Sequence, residues 1–122
     1  MSAPVPPGWP PAVPPPGTEG FERAAGAWLL DLCPPDYRAH AVLVRHPVVL
    51  AVLAGHHVGA QAAAQQRAVA TLRTDLADAV DPGVVERTLV ALDHEQARLL
   101  AAARAVALLE DALRGRRYVP RL

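Results

Sequence analysis

The sequence predicts an all-α protein: a long antiparallel helical hairpin, with an additional N-terminal helix packed at its open end and a Pro-rich N-terminal arm. Apolar residues recur at steps of three, four or seven on both sides of Asp81-Pro82-Gly83. Val69, Leu72 and Leu76 precede it, and Val85, Leu89, Leu92, Leu99, Val106 and Leu113 follow it. That periodicity is the seam of two helices folded against each other. The break itself is the second observation, because Asp81 is a capping residue type and Pro82 suits a first helical position, where its missing N–H costs nothing. The third is the crowding of proline into residues 1–17, which sets that stretch apart from everything after it. At roughly 1.5 Å per residue, each arm of the hairpin is expected to be about 50 Å long.

Residues 1–17 form the extended arm. Pro6-Pro7-Gly8-Trp9-Pro10-Pro11 and Pro14-Pro15-Pro16-Gly17 favour polyproline II and exclude helix. Two readings follow: Trp9 plugs an apolar groove on the body, or the arm is a ligand for a proline-recognising partner. The helical domain, 18–115, opens with a helix over 18–32, capped by Thr18, with Glu19 and Glu22 in a first turn where the helix dipole favours acids. Phe21, Ala24, Ala25, Trp28, Leu29 and Leu32 share one face of it, and Trp28 is expected to hold the base of the molecule. Pro34-Pro35 ends this helix, and residues 36–45 read as a short one.

The first arm, 47–80, starts on Pro47. Gly55 and Gly59, four apart with Ala63 continuing the row, suggest either close approach of another helix or a mild kink. The second arm, 82–114, has Val80 and Val85 spaced for a hydrophobic staple at its start and Gly115 as its stop. Residues 116–122 are a basic C-terminal tail. Near the turn the faces away from the seam carry Arg67, Arg73, Asp75, Asp78, Glu86, Arg87, Asp93 and Arg98. Toward the open end, Val48 to Leu53 and Leu99 to Leu109 are apolar nearly all round, broken in the second by Arg104 alone. A helix apolar on several faces needs several neighbours, so a three-helix base with a projecting two-helix stalk is expected.

Composition limits function more than it defines it. Twelve acidic residues balance twelve basic ones in a chain of 122, which argues against a wholesale polyanion binder. Every basic residue is arginine, a bias expected of a GC-rich genome. Cys33 is the only cysteine, so the chain forms no internal disulfide and no multi-thiolate zinc site, as suits a reducing cytoplasm. The N-terminus has neither the basic start nor the apolar run of a secretory signal. The longest apolar run, Pro47 to Gly55, falls short of the roughly 20 residues of a membrane span. The expected location is cytoplasmic, with no membrane partner.

No catalytic, cofactor-binding or metal-binding motif stands out. Adjacent His56 and His57 point about 100° apart on a helix, and no histidine or carboxylate stands three or four residues from either. His40 and His46 upstream do not supply that spacing, and His94-Glu95 lacks the HExxH pattern. Cys33 reads as a packed small residue, and the pair Asp75 and Asp78 as part of a solvated face. The glycines fall singly, so there is no phosphate-cradling loop. The expectation is no enzyme and no cofactor.

Pro7-Gly8-Trp9-Pro10, the run from Ala27 to Arg38, Arg45-His46-Pro47-Val48-Val49-Leu50-Ala51 and the run from Ala112 to Leu122 together resemble a group of small helical proteins of high-GC actinobacteria. The resemblance covers nearly the whole chain. It implies a bacterial cytoplasmic protein and brings no activity with it.

Two functional expectations remain. In the first, the chain is a non-enzymatic interaction or scaffold protein that self-associates through the hairpin, most simply as a homodimer. Leu72, Leu76, Leu89 and Leu92 near the turn have only each other to bury against in a monomer, and Val90 marks the face where a partner docks. In the second, Arg114, Arg116, Arg117 and Arg121 contact nucleic acid, with Tyr118 stacking on a base. Against the second, cations at a helix C-terminus satisfy its dipole, and Tyr118, Val119 and Leu122 can fold back on the base.

Overall fold

Five helical segments follow one another in the computed structural model, which describes residues 4–121. They are α1 (Phe21–Leu30), a 3-10 helix (Pro35–Ala39), α2 (Ala41–Arg45), α3 (Pro47–Asp75) and α4 (Pro82–Leu113). The α3–α4 pair is a long helical hairpin, the protein is all-helical, and α1 packs on both arms at the open end. At about 1.5 Å per residue the arms run roughly 44 and 48 Å.

The core lies at that open end. Phe21, Ala25 and Leu29 of α1 meet Leu50, Ala51 and Ala54 of α3 and Val106 and Leu109 of α4, with Val13 and Cys33 closing the cluster. The three α1 residues are four apart, so they stack along one line of the helix and form the centre of its apolar face. Trp28 lies beside that line and is half-buried, packed against the core from its edge. Leu29, with no exposed surface, holds the central position expected of Trp28. Full burial of a leucine of this kind stabilises by about 1.5–3 kcal/mol.

Helix α1 starts later than the expected cap at Thr18. The Thr18 carbonyl accepts from Phe21 N–H at 3.1 Å in a turn, and Gly20, left-handed at φ 83°, precedes the first helical residue. A left-handed residue at that point is cheap only for glycine. After Leu30 the chain tightens: Leu32 and Cys33 N–H bond to the carbonyls of Leu29 and Leu30. The expected short helix over 36–45 is two pieces, because His40 is extended at φ −110° and ψ 107°. The first piece is pinned to α3, since the Tyr37 hydroxyl shares a 2.7 Å hydrogen bond with His57 Nε2.

Helix α3 begins on Pro47, as its sequence requires, but ends at Asp75 where 47–80 was expected. Residues 76–80 make the reversal, with Leu76 N–H bonded to the Leu72 carbonyl and Ala79 N–H to the Leu76 carbonyl. Helix-to-helix reversals commonly consume about two to eight residues. A helix continued to Val80 would leave only Asp81. Asp81 is extended at φ −63° and ψ 146°, as a residue before proline must be, and its side chain makes no capping bond. Its carbonyl instead accepts from Val84 and Val85 N–H.

The far end of α4 closes in a Schellman motif. Gly115 is left-handed at φ 81°, its N–H reaches the Ala112 carbonyl at 3.0 Å, and Arg116 N–H reaches that of Asp111 at 2.9 Å.

The N-terminal arm lies on the body. Trp9 stacks on Phe21 with ring centroids 6.0 Å apart and planes 25° apart. Its Nε1–H donates to the Val13 carbonyl at 2.8 Å. Arg104, the one charge in the apolar stretch of α4, donates through Nε to the Pro7 carbonyl at 3.1 Å. Gly8, at φ +97°, lets the arm pass so close that a Cβ there would stand 2.7 Å from Arg104 Nε.

Candidate functional site

The stalk is the part of the molecule whose apolar surface the chain itself does not cover. No residue of α3 between Val58 and Asp75 is buried, and in the tip half of α4, before Leu99, only Val85 is. Leu72, Leu76, Leu89 and Leu92 are half-buried across the seam. Val69 falls on the same face, four after Gln65 and three before Leu72, yet is 42% exposed. One neighbouring helix covers only part of a seam residue. Val69 is therefore not sealed as the periodicity suggested.

The arms hold a fixed register. A Cβ at Gly55 would meet Val106 Cγ1 at 3.7 Å, ordinary contact, and Arg73 Nη2 donates to Glu86 Oε1 at 2.9 Å. From Gly55 to Arg73 and from Val106 back to Glu86 are nearly equal steps, as antiparallel helices demand. Nothing stands within 4 Å of a Cβ at Gly59, so the close approach read from the glycine pair applies to Gly55 alone. In the middle of the seam, Gln65 Oε1 and Gln96 Oε1 are buried without a hydrogen-bond partner.

On α4, Leu89, Asp93, Gln96 and Leu100 follow at steps of four, three and four and so share a face. Leu100 is 60% exposed there. Leu100 was expected to be covered as part of the all-apolar stretch 99–109, but α1 and α3 cover the adjacent face, around Leu99, Val106 and Leu109, and leave Leu100 at the flank of the seam. Val90 is also 60% exposed, about one helical step round from Leu89. Sequence periodicity located Val90 outside the seam but did not single out Leu100, because burial by α1 cannot be read from α4 alone.

The C-terminal arginines are partly occupied. Arg114 Nε donates to Glu110 Oε2 at 3.0 Å and Arg116 Nη1 to Asp111 Oδ1 at 2.6 Å. Among the described residues Arg117 and Arg121 have no ion-pair partner within the chain. The acids that pair with this group precede it on α4, one turn back on the helix surface. Tyr118 is 37% exposed and faces the arm across a cavity. Val119, expected to fold back on the base, is 78% exposed, and Leu122 lies outside the described residues.

Among the described residues no group of three or more His, Cys, Asp or Glu side chains comes together. Cys33 is buried, and burial pushes its thiol up, with the nearby Arg38 guanidinium pulling weakly the other way. Among the described residues one helix, α3, is long and apolar enough to cross a bilayer by length and composition: 18 of its residues average a hydropathy of 1.3, with 22% of them buried. The continuous apolar run from Pro47 ends at Gly55, but no charged residue intervenes between Arg45 and Arg67.

No protein-family model matches the chain, and neither a curated protein nor a solved structure is similar to it.

Proposed function

We propose that the chain is a non-enzymatic helical interaction protein of the cytoplasm that self-associates through its hairpin, most simply as a homodimer in which two stalks complete a four-helix arrangement. The observation that supports this reading is Val69, a seam residue left 42% exposed on the stalk. Leu100 and Val90, each 60% exposed on α4, add apolar surface on the flank and back of the same arm. A second stalk laid along the first offers apolar cover over the length that α1, at about 15 Å, is too short to reach. Isologous pairing also needs only one surface, used twice.

Sedimentation velocity across concentration, together with circular dichroism, tests the reading. The expected result is a dimer at micromolar concentration, with Leu100→Glu and Val90→Glu each shifting the protein toward a monomer that keeps its helical signal. A monomer at high micromolar concentration would overturn self-association, and full retention of the dimer in both variants would move the interface away from α4.

A further inference from the structure

We infer that the cavity between the N-terminal arm and the C-terminal tail is a binding site for a small planar aromatic carboxylate. The cavity measures about 770 Å³, within the roughly 300–1,000 Å³ range of small-molecule sites. Its walls come from two parts of the chain that are far apart in sequence: the arm, and the last turns of α4 with the tail that follows them.

The wall is apolar and rigid where a ring would rest. Trp9 lines it, and this indole is already fixed, stacked on Phe21 and with its N–H given to the Val13 carbonyl. It brings a ring edge or face to the cavity with no polar demand left to meet. Pro6 and Pro16 add rings that cannot rotate away, and Leu108 and Ala112 form the floor from α4. An aromatic plate gains most from such a surface, since ring contacts reward a fixed geometry.

The rim selects charge. Asp111, Arg116 and Arg117 all line the cavity. Asp111 pairs with Arg116 at 2.6 Å, and its backbone carbonyl accepts from Arg116 N–H, so that pair carries no net charge. Arg117 has no such partner among the described residues. Among the described residues the rim therefore carries one positive charge without an ion-pair partner, on a guanidinium whose fork matches a carboxylate. Tyr118 stands beside it with a hydroxyl able to donate. An apolar plate with a single anionic group answers both halves of the site, and this assignment is independent of how the stalk associates.

The test titrates the full chain with 1-naphthoate, and with 1-naphthalenemethanol as its uncharged counterpart, following the two indole N–H resonances by NMR. Trp28→Phe assigns which resonance belongs to Trp9. The expected result is a saturable shift of the Trp9 resonance with that of Trp28 unmoved, and naphthoate bound about fivefold more tightly than the alcohol, the scale of one partly exposed charge pair. Arg117→Gln is expected to abolish that difference while leaving the affinity for the alcohol as it was. Absence of a saturable Trp9 shift up to roughly 5 mM ligand would overturn the site. Equal affinity for acid and alcohol, or a preference that persists in Arg117→Gln, would overturn the assigned ligand class.

Discussion

Replacing Gly59 by alanine is expected to stabilise the protein. Gly59 sits in the interior of α3, exposed, with nothing within 4 Å of the position its Cβ would take. Its backbone is helical, so alanine adopts the same conformation without strain. The expected gain is therefore the intrinsic difference between the two residues in a helix, about 0.8–1.0 kcal/mol. For a chain of 122 residues a change of 1 kcal/mol moves the melting temperature by about 4 °C. Urea unfolding followed by circular dichroism at low protein concentration isolates the effect, because the midpoint is expected to rise with an unchanged slope. A fall in stability at low concentration would refute the reasoning, since it would mean that something within the chain occupies the space beside Gly59. A fall that grows with protein concentration would instead put a second copy of the chain against that face.

Gly8→Ala acts in the opposite sense: at φ +97° with Arg104 Nε 2.7 Å from the new Cβ, it is expected to cost about 1–2 kcal/mol. Combining it with Arg104→Ala relieves the clash but not the backbone strain, so a double-mutant cycle in thermal melts should give clear coupling, and strict additivity would show that the arm does not pass over Arg104. For Cys33, burial raises the thiol's folded value above that of the unfolded chain, so the folded state holds the proton more tightly. That contribution is fully present below the unfolded thiol's range, about 8.5, and is lost as pH rises through the folded value. Cys33→Ala is thus expected to flatten the fall in stability measured by urea midpoints between about pH 8 and 10, and an unchanged slope would remove burial as the cause.

The hairpin was legible because its signals are local and repeated. Leu72, Leu76, Leu89, Leu92 and Leu99 keep helical spacing, and Asp81-Pro82 interrupts it with residue types that start a helix. Where several residues satisfy the same local rule, spacing alone does not choose among them. Thr18 is a good capping residue, but Gly20 offered a left-handed entry that let α1 begin at Phe21. Trp28 and Leu29 both lie on the apolar side of α1, and only the position of α3 decides that Leu29 takes the centre. The surfaces depend on tertiary relations that no spacing encodes. Arg104 reads as an interruption in an apolar helix until the Pro7 carbonyl is found beneath it. His57 lacks any metal-ligand spacing and is instead the partner of Tyr37, twenty residues away. Gln65 and Gln96 look like ordinary polar positions on separate helices, and only the folded register turns them into unpaired oxygens within the seam.

The meeting of arm and tail around one cavity has a consequence for how this molecule can be attached to anything else. Residues 4–17 and 116–121 both lie at the base, while the reversal at 76–81 lies at the far end of helices about 44 Å long. Tethering by either chain end, whether to a neighbouring domain or to a solid support, holds the base and presents the tip outward. Stalks of molecules tethered side by side would then stand parallel, with the Val69 of each level with that of its neighbour, and likewise Leu100.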